Sequence, residues 1–297
     1  MELQQMRYVV AVAETSSFTR AAERCLVVQS ALSHQIARLE RELGARLFDR
    51  TSRRVRLTPA GEAFLPAARA SLEAAERASA DVAASVGEVR GRLAVGVIPT
   101  VAAVDVPAAL GDFRRRHPQV RISLRVGASG DLAGQVRERA LDVAFLGLPT
   151  TAEPRGVAAR ELARDRLVVV VAPDHRLAGE PVVTLKSLAS EIFVDFPAGT
   201  AGRVQTDQAF AAAGIERDVA FEVSTTDFTV PLVASGLGVA MMPSAYAPQL
   251  AGVVAIEISD APGRVEYVVW SASSPTLAAT AFLSGVPGFP SVPRAKP

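Results

Sequence analysis

The stretch that most constrains this chain is residues 17 to 58, SFTRAAERCLVVQSALSHQIARLERELGARLFDRTSRRVRLT. From Leu32 the apolar positions run Leu32, Ile36, Leu39 and Leu43, at steps of three and four, which makes one helical stripe. Ala21 and Ala22 sit on a preceding helix, where small side chains let two backbones approach closely, with Cys25 and Val27 as apolar contacts at the break between the helices. The residues left outward are Gln29, Ser30, Ser33, His34, Gln35 and Arg38, hydrogen-bonding types long enough to reach base edges. This is the layout of a helix-turn-helix whose second helix lies in the DNA major groove. Leu47–Phe48 and Val55–Leu57 then read as two short strands, joined by a segment holding Arg53 and Arg54. An arginine-tipped hairpin beside a helix-turn-helix makes a winged variant, with Arg53 and Arg54 directed at phosphates or a minor groove.

Charge follows the same division. Residues 1 to 58 hold ten arginines against six acids, and the remainder holds 22 basic against 25 acidic residues. A basic end on a slightly acidic body fits a nucleic-acid module joined to a part that does not bind DNA. The one cysteine, Cys25, excludes an intrachain disulfide and a cysteine zinc cluster, and the three histidines show no metal-ligand spacing. No cofactor is expected. The longest apolar run, Leu167 to Ala172, is strand-length and far short of the ~20 residues of a membrane span. The start, Met1-Glu2-Leu3, lacks a basic region followed by an apolar one, so the expectation is a cytoplasmic protein without a membrane partner.

The run AAERCLVVQSALSHQIARLERELGARLFDR followed by LTPAGEAF resembles the N-terminal signature of LysR-type transcriptional regulators over roughly sixty residues. Cys25 stands where Leu is common, Val28 where Ser often caps the recognition helix, Ser30 where Pro often opens it, and His34 where Arg is common. A lost cap at Val28 costs about 1 kcal/mol, which predicts fraying or a shifted helix start. Loss of the arginine at 34 removes or alters a guanine contact worth ~1–3 kcal/mol.

Upstream, residues 2 to 14 form a helix with Leu3, Met6, Val9, Val10 and Ala13 buried, and Ser17 caps the next helix. Gly44 closes the recognition helix. Thr58-Pro59 starts a helix running to about Val89, with Leu65, Ala68, Leu72, Ala75, Ser79, Val82, Val86 and Val89 as a heptad seam. A helix of ~30 residues spans about 45 Å, which favours pairing with a second copy and hence two reading heads on a two-fold DNA site. Beyond the hinge glycines Gly87 and Gly91, strands at 92–98, 120–126 and 142–146 alternate with helices at 104–116 and 129–139, a parallel α/β pattern. A second unit follows, with strands at 167–171, 192–194, 220–224 and 239–242 and helices at 201–213 and 227–234. A final strand and helix, 265–271 and 276–283, return to the first unit, and residues 286 to 297 form a loose tail.

The fold class is therefore α/β behind a winged helix-turn-helix (1–58) and a linker helix (59–90). The C-terminal part (91–297) divides into subdomain I, about 91–161 and 266–297, and subdomain II, about 162–265. Two α/β subdomains make a clamshell, and the resemblance implies a fold like periplasmic solute-binding proteins, carried by GDFRRRHPQVRISLRVGASGDLAGQVRERALDVAFLG and VASGLGVAMMP. Ligands of open α/β sheets settle beyond the C-terminal strand ends. Those ends bring together Pro99, Thr100, Ser129, Leu146, Phe196, Thr200 and Thr225 as the candidate effector site, with Arg203 one turn into its helix. The resemblance implies a small-molecule effector, often an organic acid or aromatic metabolite, tetramers built as dimers of dimers, and RNA polymerase as a candidate partner.

No catalytic motif is complete. GASGD at 127–131 is not a nucleophile elbow, and GLG at 236–238 is a lone Gly-x-Gly. Walker and dinucleotide patterns are missing from the sequence, so it is read as a non-enzyme. The alternative, a solute binder or enzyme with a helical appendage, would need an export signal or a titratable constellation.

Overall fold

Five clusters of buried apolar side chains account for the architecture of the computed structural model, which describes residues 1–50, 55–85, 89–273, 275–286 and 289. The chain divides into two units, Met1–Val86 and Gly87–Pro297.

The first unit contains α1 (Leu3–Thr15), α2 (Phe18–Arg24), α3 (Gln29–Leu43), the strands β1 (Phe48–Arg50) and β2 (Val55–Leu57), and α4 (Pro59–Ser85). Its core joins Val9 and Val12 of α1, Ala21 and Ala22 of α2, and Leu32, Ile36 and Leu39 of α3 with Leu47 and Phe48. Phe18 meets Phe48 edge-on at 5.8 Å between ring centroids. The buried face of α1 differs from the expected one: Gln5, Met6, Tyr8, Val9, Ala11 and Val12 are inside, whereas Leu3 is exposed and Val10 and Ala13 are half-buried. Residues 8 to 13 are apolar without interruption, so periodicity cannot fix their phase. Ser17 caps α2 by accepting from the Arg20 N–H at 3.4 Å. Thr58 caps α4 by accepting from the Gly61 N–H at 3.0 Å, and its own hydroxyl donates to the Arg46 carbonyl at 2.6 Å. Ala68 of the expected seam is fully buried, with Leu65, Leu72 and Ala75 half-buried. The described helix ends at Ser85, and Val89 lies outside it, packed against the first core of the second unit. Val86 lies outside the described residues.

In the second unit, β3 (Gly91–Val97), α5 (Val106–Arg116), β4 (Val120–Val126), α6 (Ser129–Arg137) and β5 (Val143–Pro149) alternate, with β3 parallel to both β4 and β5. The strand β6 (Ala158–Val171) is fourteen residues long. Its first part pairs with β12 (Gly263–Trp270), itself paired with β5; from Leu167 it pairs with β10 (Ala240–Pro243), and from Val168 also with β11 (Val254–Ile258). The second half adds β7 (Val182–Val183), β8 (Ile192–Asp195), α7 (Ala201–Ala212), β9 (Asp218–Glu222) and α8 (Thr226–Ala234). The last helix, α9 (Leu277–Leu283), returns to the first core, where Phe282 meets Phe113 at 5.6 Å. The full reach of β6, and the strands β7 and β11, have no counterpart in the sequence reading. Among the described residues no helix is long and apolar enough to cross a membrane.

Gly61 is the tightest joint in the first unit: a Cβ there would lie 2.1 Å from the Leu47 carbonyl oxygen and 2.9 Å from Leu57 Cδ2. Backbone cannot yield as a side chain does, so Gly61→Ala is expected to destabilise the N-terminal unit by about 1–3 kcal/mol. Thermal unfolding of the full chain, followed in the helical signal, would show the loss.

Candidate functional sites on the helix pair and in the cleft

On α3 Leu32, Ile36 and Leu39 of the expected stripe are fully buried, which directs the opposite face outward, while Leu43, its expected fourth member at the last residue of the helix, is exposed. Gln29, Ser30, His34 and Arg38 are exposed, while Ser33 and Gln35 are half-buried on the flanks. Gln35 Oε1 accepts from Nε2 of the buried Gln5 at 3.3 Å, so this glutamine also ties α3 to α1. Arg41, not singled out in the sequence, is exposed on the same outward side. The helix starts at Gln29; Val28 is its N-cap residue and makes no side-chain capping bond. Gly44, at φ +69°, closes it in the left-handed conformation that glycine tolerates best. Glu40 supplies a joint that apolar spacing does not announce. Its Oε1 accepts from the N–H groups of Leu47 and Phe48 at 2.8 and 3.3 Å, fastening the end of the reading helix to the first wing strand. The wing pairs Phe48 with Leu57 and Arg50 with Val55. Arg53 and Arg54 lie outside the described residues.

The second site is a cleft of about 450 Å³ between the two halves of the second unit. Pro99, Thr100, Ser129, Phe196, Thr200 and Thr225 all line it, together with the apolar Ile98, Leu167 and Met241. Leu146 does not. Alternate residues of a strand face opposite ways, and Leu146 shares its face with Ala144, packed against Leu132 and Val136 of α6. Two of the expected hydroxyls are committed internally. Ser129 Oγ donates to the Gly147 carbonyl at 2.9 Å and accepts from its N–H at 3.1 Å; Thr200 caps α7 and donates to the Pro197 carbonyl at 2.9 Å. Thr225 is the N-cap residue of α8 without a capping bond.

The charged framework of the cleft was not visible in the sequence. Arg264, 4% exposed, places Nη1 3.0 Å from Glu266 Oε1 and 3.4 Å from Asp165 Oδ2, and donates from Nη2 to the Thr100 carbonyl at 3.1 Å. Across the cleft the Arg217 side chain is buried against Asp195: Nη1 lies 2.7 Å from Oδ2, but out of line for a hydrogen bond. Arg217 Nη2 donates to Thr206 Oγ1 at 2.7 Å and Asp207 Oδ1 at 2.6 Å. Burial alone would raise the Asp207 carboxyl, but the hydrogen bonds from Arg217 and Arg203 outweigh it and hold the group below the usual carboxylate range. Arg203 also reaches Glu222 at 2.8 Å and the Phe196 carbonyl at 3.3 Å, so it serves the cleft wall rather than an incoming acid. Arg264 pairs with Glu266 two residues on, but its contacts with Asp165 and Thr100 are distant in sequence and leave no local motif. Among the described residues no group of three or more His, Cys, Asp or Glu could hold a metal ion.

Two family models cover this architecture. The bacterial regulatory helix-turn-helix model of the lysR family matches residues 3–62, and the LysR substrate binding domain matches residues 87–286. The chain belongs to the LysR family of bacterial transcriptional regulators. Like other members it is a DNA-binding regulator with an effector-binding domain. The HTH-type transcriptional regulator ShiR of Corynebacterium glutamicum is 38% identical over 245 residues, covering 81% of this chain and 82% of its own. A probable hydrogen peroxide-inducible genes activator of Mycobacterium avium is 35% identical over 244 residues, covering 82% and 78%. Among solved structures, full-length CbnR complexed with its target DNA superposes with a TM-score of 0.70 at 25% identity, covering 96% of this chain and 99% of CbnR. A full-length OxyR variant from Pseudomonas aeruginosa gives 0.69 at 28% identity, covering 95% and 93%.

The likeness to peroxide-responsive regulators makes the single thiol of this LysR-family chain worth placing. Cys25 is half-buried beside the core of the first unit, and burial pushes its pKa up, against the opposing effect of Arg24 and Arg7. The thiolate is the reactive form. Iodoacetamide is therefore expected to label Cys25 more slowly in the native protein than in urea at the same neutral pH, and the rate should climb only at alkaline pH. Mass spectrometry of quenched samples measures both.

Proposed function

We propose that this LysR-family regulator reads its operator with the outward face of α3, that the wing arginines Arg53 and Arg54 hold the duplex backbone, and that a small molecule in the cleft sets its activity. The observation that carries the reading is the division of α3: one stripe buried as far as Leu39, the other a row of exposed polar and cationic side chains at Ser30, His34, Arg38 and Arg41. Superposition on a relative solved with its target DNA supports it. Gln29, Ser33 and Gln35 flank that row. Pro99, Thr100, Phe196 and Thr225 line the space for an effector, and Ser129 and Thr200 shape its walls. Closure of the two halves on a ligand that prefers the closed form would bias the placement of subunits. Two-fold operators are matched by paired reading heads, and α4, with Leu65, Leu72 and Ala75 half-buried, is the element proposed to pair, within a dimer of dimers. A regulator acting on DNA works in the cytoplasm, with RNA polymerase as a candidate partner, and needs no catalytic activity of its own.

Binding to a duplex selected from a randomised pool tests the reading. Affinity is expected to fall steeply with salt, log K declining by about 0.9 per phosphate neutralised for each unit of log salt concentration; a flat, negligible response overturns it. The residues divide by role in the same assay. Arg53→Ala is expected to weaken all sequences alike and to reduce the salt slope. His34→Ala is expected to change preference at one base pair, by about 1–3 kcal/mol, with the slope nearly unchanged. Gel-shift titration across single-base variants of the duplex separates the two.

A further inference from the structure

Behind Arg264, which lines the cleft, a corner of the fold is built to hold a carboxylate, and the chain fills it. In the loop between β3 and α5, the consecutive N–H groups of Ala102 and Ala103 converge on one point. Glu266 sits there, 3% exposed. Its Oε1 accepts from the Ala102 N–H at 3.0 Å and from Arg264 Nη1 at 3.0 Å; its Oε2 accepts from the Ala103 N–H at 2.9 Å and the Ala102 N–H at 3.2 Å. Adjacent backbone N–H groups aimed at one point form an anion-binding nest, and a guanidinium beside it completes a charge-assisted set. Arg264 cannot swing away to meet a ligand. Its other contacts are the Thr100 carbonyl and hydroxyl and Asp165. Its plane lies so close to Gly147 that a Cβ there would be 2.6 Å from Nε and Nη2.

The rest of the cleft repeats the pattern. Arg217 is held by Asp195 and Asp207, and Arg203 by Asp207 and Glu222. Asp131 occupies the first turn of α6 at the cleft edge, already placing a negative charge at that helix's positive end. Of the charged side chains, Arg264, Asp131 and Asp195 line the cleft itself, one guanidinium against two carboxylates. An entering carboxylate would meet, in the lining, a guanidinium already paired with Glu266 and two carboxylates, and burying a charge without a partner is strongly unfavourable.

We infer that Glu266, filling this anion corner, neutralises the Arg264 guanidinium that lines the cleft, so that the effector is uncharged or cationic and presents hydrogen-bond donors rather than a carboxylate. The inference rests on the cleft being the effector site, and it departs from the organic acid that the family resemblance implies. Donors on the ligand would meet Asp131 and Gln205 Oε1. Gln205 Nε2 donates to the Gly263 carbonyl at 2.6 Å, which fixes the amide orientation and leaves its oxygen for a ligand. Ile98, Leu167, Phe196 and Met241 would enclose an apolar body.

Thermal unfolding of the full chain in sodium acetate against sodium chloride at equal ionic strength tests this, acetate being the bare carboxylate. Wild type is expected to respond identically to the two salts. Glu266→Ala is expected to lose stability in chloride and to regain much of it in acetate, which refills the corner. A wild type stabilised by acetate over chloride, or a Glu266→Ala protein indifferent to acetate, overturns the proposal. Should Glu266→Ala not fold, Glu266→Gln keeps the shape and drops the charge; it is expected to melt below wild type, and equal stability overturns the proposal. Since the readout involves neither DNA nor effector, its failure leaves the regulator reading intact, and a failure to bind DNA leaves this result readable.

Discussion

The backbone hydrogen bonding of β6 and β12 is the constraint on which the effector unit depends. A strand of fourteen residues exchanges one set of partners for another between Arg166 and Leu167, so one continuous run of chain belongs to both halves. The halves cannot separate without breaking ladder bonds, yet away from the two strands they are free to leave space between them. The cleft is that space. Its polar wall is mounted on the same strands, since Asp165 lies on β6 and Arg264 and Glu266 on β12, with Thr100 and Ala102 reached across from the loop after β3. The site's electrostatics and its hinge are therefore one structure.

In the DNA-binding unit the corresponding constraint is close approach. Ala21 and Ala22 are buried in one cluster with the stripe of α3, where small side chains let the two helices approach closely. Once the stripe is inside, helical geometry alone decides what faces outward. Glu40 then carries the orientation of the helix into the wing through two backbone N–H groups, and Thr58 and Gly61 lock the wing's second strand to the start of α4. Reading head, wing and linker are tied together by these polar contacts and by the shared core, against which Val55, Leu57, Ala60 and Phe64 pack.

The sequence exposed the parts of this design that repeat or that sit close together along the chain. The α3 stripe as far as Leu39, the Ser17 and Thr58 caps, the Gly44 stop and the alternation of β3 to β5 all rest on spacing of a few residues, and the structure contains each of them. What stayed hidden depended on distance or on missing phase. The unbroken apolar run of α1 gave no indication of which side faced inward. Leu146 stands at a strand end, which points to the cleft, although the strand's two-residue alternation turns it into the core. Arg264 and Glu266 pair with positions more than 160 residues away, and nothing near them in the chain marks them as a site.

The contact between Gly147 and Arg264 carries a consequence for how such a chain can change. A guanidinium lying flat on a peptide leaves no volume for even a methyl group, and its hydrogen bonds forbid it to retreat. Any larger residue at 147 would have to be accompanied by a shorter one at 264, and a shorter residue at 264 would strand Glu266 and Asp165 without their counter-charge. Relatives that lose the arginine should therefore have exchanged several positions together, so that drift across this family is expected to move through the cleft in correlated blocks instead of single steps.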